Sequence, residues 1–209
     1  VLLVPFRGHD GHPLARTTGG PDEAMDLSGA LMALLESGFR GEDILIYGSS
    51  MGAAVAVKTA CLLSTGPFMG VIAHGCYTGF FDSARSKLGA WRTAMLRALM
   101  PRPARRSLDA FRPGDYLAQA SPRIPFVFMC GSRDTVTPPD MSRRLASAAP
   151  LGSAVILGGS GHPKWGDASR EKRWQFEKAL DQALGLIRES VPGSMLFVDE
   201  EGEVRDVPR

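Results

Sequence analysis

The chain has 209 residues, of which 44% are hydrophobic, 22% charged and 8% aromatic. These proportions are ordinary for a folded globular protein and exclude collagen, low complexity and wholesale disorder. The 24 Lys+Arg against 22 Asp+Glu leave a net charge of +2, too small an excess to make nucleic acid the expected partner. A single domain is expected, burying roughly 70% of its unfolded surface, and no apolar run approaches the length of a membrane span.

The predicted elements alternate along the chain. Residues 1–4 (Val1, Leu2, Leu3, Val4) read as a strand. A helix follows over residues 21–37, with Pro21 suited to its first turn, Asp22, Glu23 and Asp26 favouring its positive end, and Gly38 stopping it. A strand over 44–47, a helix over 53–63 and a strand over 69–73 come next. The connection 76–123 exceeds a minimal crossover and is expected to hold extra helices over 80–88 and 91–99. Then come a strand over 126–130, a helix beginning near Asp140, a strand over 154–157, and a helix over 170–189 with Phe176, Leu180, Leu184 and Ile187 on one stripe. Short, continuous apolar runs are the mark of strands buried on both faces. The expected fold is therefore α/β, a doubly wound and mostly parallel sheet with right-handed crossovers. Residues 1–190 form the core, with 76–123 as a cap-like insertion, and 191–209 form an acidic tail. In that tail the Glu200 to Glu203 stretch looks like a turn between two short extended pieces. Cys61, Cys76 and Cys130 are odd in number and lie in apolar surroundings, as expected of buried free thiols in a reducing, cytoplasmic setting.

The chemistry centres on Gly48-Ser49-Ser50-Met51-Gly52, a G-x-S-x-G match between a buried strand and a small-residue helix. A sharp strand-to-helix turn strains Ser50 and lifts its hydroxyl clear of the sheet. Side chains at Gly48 and Gly52 are expected to collide across it. The Met51 N–H would point at a developing oxyanion. A bland reading, a Gly-rich turn, covers the glycines but not the context. A serine hydroxyl needs a base. Among His9, His12, His74 and His162, the last follows the strand 154–157 in a Gly-rich loop, at the end of the sheet where α/β proteins build their sites. Asp134 follows the strand 126–130 and can fix the tautomer of a histidine and stabilise imidazolium, or simply cap the next helix. Ser50, Asp134 and His162 each follow a strand, in the order Ser, Asp, His.

On these residues the chain resembles the alpha/beta-hydrolase superfamily, in its small esterase, monoacylglycerol-lipase and serine-aminopeptidase-like branch. Val4-Pro5-Phe6-Arg7-Gly8-His9-Asp10-Gly11 is similar to the family's R-G-x-G turn, Gly131-Ser132-Arg133-Asp134-Thr135-Val136-Thr137-Pro138 to its acid segment, and Gly161-His162 to its histidine loop. The resemblance implies Ser50 as nucleophile, His162 as general base and then acid, and Asp134 as the orienting carboxylate. In the family, further strands precede the one read at residues 1–4, and an H-G loop supplies a second oxyanion N–H. Neither is found in these 209 residues. The expectation is a fragment of a longer protein, the alternative being direct pairing of residues 1–4 with 44–47. Losing one oxyanion donor costs on the order of 10²–10³ in turnover.

Other candidates read more plainly. His9-Asp10-Gly11-His12 suits a turn better than a metal cluster. His74 is expected to pack at the sheet end, and Cys76 to be a buried thiol. The basic residues Arg97, Arg102, Arg105, Arg106 and Arg112, with Trp91, Met95, Leu96, Leu99 and Met100 between and before them, read as a solvated cap face; membrane association is not the expectation, although such a face can attract anions or headgroups. The function expected is a serine hydrolase of a small-molecule carboxylic ester, thioester or related acyl substrate, with no metal or organic cofactor implied. Its turnover should rise through roughly pH 6–8. The rivals are a non-catalytic binding module and a serine peptidase, which would need a pocket acid.

Overall fold

A computed structural model describes residues 1–9, 16–63, 68–120, 123–163 and 170–207. Its centre is a six-stranded sheet: β1 (Leu45–Ser49), β2 (Gly70–His74), β3 (Phe126–Gly131), β4 (Gly152–Leu157), β5 (Met195–Val198) and β6 (Val204–Asp206). The strands lie side by side in chain order. The first five are parallel and β6 turns back antiparallel on β5. β2, β3 and β4 are buried along their whole length, which is why their sequences are continuous apolar runs rather than alternating ones.

The helices are α1 (Glu23–Glu36), α2 (Met51–Leu62), α3 (Phe80–Leu88), α4 (Ala90–Leu99), α5 (Arg102–Ala110), α6 (Pro113–Ala120), α7 (Pro139–Ala148) and α8 (Arg170–Glu189). On one face of the sheet Ile46, Val71, Ala73, Phe126, Phe128 and Ala154 pack with residues of α1, α2, α6 and α7. On the other, Ile72, Val127, Met129, Val155 and Leu157 pack with α8. The innermost line of α8 is Gln175, Ala179, Ala183 and Ile187. Two alanines let the helix approach closely, and the bulkier Phe176, Leu180 and Leu184 flank that line half-buried.

The structure departs from the expectation of uniform right-handed crossovers. β1–α2–β2 and β4–α8–β5 step the same way across the sheet, between parallel strands, with their helices on opposite faces. Two such units have opposite hands, so one breaks the usual rule. α8 is the helix that covers the second face, and the strand after it adds beyond β4.

Residues 1–4 form no strand. Val1 and Leu3 are exposed, Val4 is half-buried, and β1 stands at the sheet edge without them. An apolar run becomes a buried strand only where a partner edge and a cover coincide. Here the segment is drawn toward α1 instead. The Arg7 backbone N–H donates to Asp26 Oδ2 at 3.0 Å, and its guanidinium forks onto both oxygens of the same carboxylate, with the shortest contact at 2.7 Å. The acidic segment 191–209 does not stand apart as a tail. Its two extended pieces are β5 and β6, which complete the sheet. Within 76–123, α3 lies where expected, α4 begins a residue earlier, and α5 and α6 are additional.

Candidate active site

The C-terminal ends of β1, β2, β3 and β4 share one rim of the sheet, and the candidate residues stand on it. Ser50 follows β1 and opens α2 with φ 53° and ψ −118°, a left-handed conformation that is strained for a residue with a side chain. Its N–H donates to His74 O at 2.8 Å. Gly48 is required at this turn, because a Cβ there would fall 2.2 Å from Gly52 O and 2.8 Å from Ala53 Cα. Gly52 differs from the expectation. A Cβ there would meet only Phe6 Cε2, at an ordinary 3.7 Å. Met51 is the first residue of α2, so its N–H has no partner within the helix and stands at the positive end of the helix dipole.

Ser50 Oγ lies 2.9 Å from His162 Nε2, and His162 Nδ1 lies 2.8 Å from Asp134 Oδ2. The three side chains, far apart in the chain, form one continuous line of hydrogen-bonding contacts. Asp134 is fully buried at its side chain, and that of His162 is 18% exposed. Burial alone would raise the Asp134 carboxyl, but the His162 ring, the Thr137 hydroxyl and the Thr137 N–H bind its charged form and hold it below the ordinary value. Oδ1 accepts from the N–H groups of Val136 and Thr137, each at 2.8 Å, and Oδ2 accepts from Thr137 Oγ1 at 2.7 Å. Asp134 is thus a turn aspartate and the partner of His162 at once: one oxygen shapes the backbone and the other meets the ring.

Several residues at this rim escape sequence reading. Gly75, just past β2, has φ +66°; a Cβ there would press on the Pro163 ring at 2.8 Å and on His162 Cε1 at 3.3 Å. Gly131 lets the histidine loop cross the end of β3, since a Cβ would stand 2.2 Å from Ser160 O. The acid and histidine loops are laced together by Arg133 N–H to Ser160 O (2.8 Å) and Gly159 N–H to Ser132 Oγ (2.9 Å). Gln175 of α8 is buried. Its amide donates to Gly158 O (2.8 Å), Val198 O (3.1 Å) and Asp199 O (2.8 Å), and its oxygen accepts from Ser160 Oγ (3.0 Å). Gly158 N–H donates to Val198 O at 2.7 Å. One side chain therefore joins the histidine loop to the end of β5. The signal that could have found it was a glutamine in line with two alanines on the apolar side of a long helix.

His74 ends β2 under this rim. Burial, assisted by the nearby His162, lowers its pKa from 6.5 to about 4. It stacks on Phe176, with ring centroids 5.6 Å apart, and its Nδ1 lies 2.9 Å from Tyr47 Oη. It is a neutral packing histidine. Cys61, Cys76 and Cys130 are buried and free, and burial raises all three thiols, Cys61 and Cys130 to about 12; they are poor nucleophiles. Glu23 is buried too, but Thr17 Oγ1, Thr18 N–H, Thr18 Oγ1 and Gly20 N–H all donate to it. That carboxylate is saturated and offers nothing to a substrate amine. His9 is exposed with Nδ1 3.2 Å from Arg7 O. Asp10, Gly11 and His12, the rest of that candidate cluster, lie outside the described residues. Among the described residues, no group of three or more metal-ligating side chains gathers.

No protein-family model matches the sequence, and no curated protein matches it. Proteins of known structure do. A puromycin hydrolase superposes with a TM-score of 0.60 at 18% identity, over 80% of this chain and 25% of that one. An esterase of Pyrococcus furiosus gives 0.58 at 18% identity, over 88% and 68%. An alpha/beta fold family hydrolase of Bacillus anthracis gives 0.52 at 14% identity, over 89% and 80%. At these identities the likeness is one of architecture: the chain has the alpha/beta-hydrolase fold. It spans a quarter of the length of the puromycin hydrolase it matches.

Proposed function

We propose that this chain is a serine hydrolase that cleaves a carboxylic ester, thioester or related acyl substrate through an acyl-enzyme. The observation that carries the reading is the continuous contact from Ser50 Oγ through His162 to Asp134, at 2.9 and 2.8 Å. Ser50 Oγ attacks the acyl carbon while His162 Nε2 takes its proton. Asp134, accepting from Nδ1–H, holds the ring with Nε2 free and steadies the imidazolium that forms. The negative charge on the former carbonyl oxygen falls to the Met51 N–H at the start of α2. The imidazolium then protonates the leaving group. Water, deprotonated by the same His162, attacks the acyl-serine, and Ser50 recovers its proton as the acid departs.

The fold supports hydrolysis in general, since its structural neighbours include an esterase and a puromycin hydrolase. The saturated Glu23 leaves the peptidase reading without a pocket acid at that position. The test is labelling with a fluorophosphonate probe. We expect the protein to be labelled and Ser50→Ala to be unlabelled. Equal labelling of both would refute the assignment.

A further inference from the structure

We propose that α4 of the cap is a docking face for an anionic phospholipid surface, with Trp91, Met95 and Leu99 entering the lipid and neighbouring cations meeting the headgroups. Helix α4 is turned inside out. Its one buried residue among those described is Thr93, whose hydroxyl bonds back to Gly89 O at 2.8 Å. On the side opposite Thr93 the helical repeat places Trp91, Met95, Ala98 and Leu99. Trp91 is 67% exposed, Met95 49% and Leu99 77%. Leu88, at the end of α3, is exposed beside them. A surface helix ordinarily turns such a stripe toward the core. A contiguous apolar stripe left in water marks a contact surface.

The charges around the stripe identify the partner. From position 85 to 123 there are nine Lys+Arg and two Asp+Glu. Two of the cap's acids are taken up by cations that brace it: Asp109 pairs with Arg97 at 2.9 Å, and Asp82 with Arg112 at 2.9 Å. Arg85, Lys87, Arg92, Arg102 and Arg106 are exposed and belong to no ion pair among the described residues. An apolar stripe containing a tryptophan and bordered by unpaired cations is the pattern of an interfacial helix on anionic lipid. A second copy of the chain fits poorly, because a two-fold contact would set the same cations against each other. No described helix is long and apolar enough to cross a membrane.

The cap springs from the rim that holds the candidate site. α3 starts at Phe80, shortly after Gly75, which lies against His162. Docking would therefore bring lipid acyl groups toward Ser50. That last link rests on the proposed hydrolysis; the docking itself does not.

The test uses the Ser50→Ala chain, so that no turnover is needed, in sedimentation with two kinds of vesicle. One contains phosphatidylglycerol mixed with phosphatidylcholine and the other phosphatidylcholine alone. We expect binding to the first, weakened by salt, and little to the second. The double variant Met95→Glu/Leu99→Glu should lower partitioning at least about tenfold, and Lys87→Glu/Arg92→Glu should lower it as well. All four side chains are exposed, so thermal melting should be unchanged. Absence of binding would overturn the proposal, as would undiminished binding by Met95→Glu/Leu99→Glu. So would a dimer that Leu99→Glu dissociates in a protein that ignores vesicles. Fluorophosphonate labelling of the parent chain is a separate readout: its failure would remove the hydrolase reading and leave the vesicle result intact.

Discussion

Ser50 and His162 meet at 2.9 Å, yet different forces hold them. Ser50 is held by the main chain. A strained left-handed residue sits between a strand and a helix, and Gly48 permits the turn because nothing larger than hydrogen fits. His162 is held by other segments: Gly75 below the ring, the acid loop through Arg133 and Ser132, and Gln175 reaching from α8 to the ends of β4 and β5. A hydroxyl fixed by local geometry tolerates distant change. An imidazole ring fixed by long-range hydrogen bonds does not, and its position is the more adjustable of the two.

The comparison breaks most visibly at the glycines. Gly48→Ala drives a Cβ into the backbone of Gly52 and Ala53, and should destabilise the protein by about 3 kcal/mol or more with loss of probe labelling. Gly52→Ala, in ordinary contact with Phe6, should cost about 1 kcal/mol or less. Urea melts of the two variants check the contrast. Next comes Gln175→Leu. It leaves the carbonyls of Gly158, Val198 and Asp199 without this donor, for an expected loss of about 2–3 kcal/mol. Because it frees the histidine loop, kcat on an acyl ester should fall while KM stays near its original value. Thr137→Val removes one donor from Asp134 Oδ2 and should cost about 1 kcal/mol, with a smaller fall in kcat.

The smallest effect is on pH dependence. Folded His74 titrates near 4 rather than 6.5, so the unfolded chain takes up that proton first. Stability is full above pH 6.5 and declines as pH falls toward 4. Glu23 behaves alike in a lower window. Burial opposes its charge, but the Thr18 and Thr17 hydrogen bonds prevail and lower it from 4.5 to about 2. Its contribution is present above pH 4.5 and lost as pH falls to about 2. Urea melts across this range should show two successive declines, with His74→Gln flattening the upper one.

The same contrast explains what the sequence discloses. The elbow is written in five adjacent residues, and the strands in short apolar runs, so both are legible. Ser50, Asp134 and His162 could be singled out because each follows such a run. The supports of His162 could not. Gln175 lies beside the visible stripe of Phe176, Leu180 and Leu184, in line with two alanines too small to draw the eye, and its partners are backbone carbonyls that no side-chain pattern announces. Helix α5 escaped because Leu108 is its buried residue, too little for a periodic signal, and α6 because it begins on Pro113 and reads as a turn. Residues 1–4 carry a strong local strand pattern, yet the edge of β1 stays open and the segment is tied to α1 through Arg7 and Asp26 instead.

The wayward crossover has a consequence for biogenesis. β4, α8 and β5 emerge from the ribosome in that order, and Val198 O, which anchors both Gly158 and Gln175, comes after Ser50, Asp134 and His162 in the chain. A nascent polypeptide can form the elbow early, from neighbours in sequence. It cannot lock His162 in place until β5 has been translated and has zipped onto β4. Vectorial synthesis thus leaves Ser50 without a fixed His162 partner until β5 has been made.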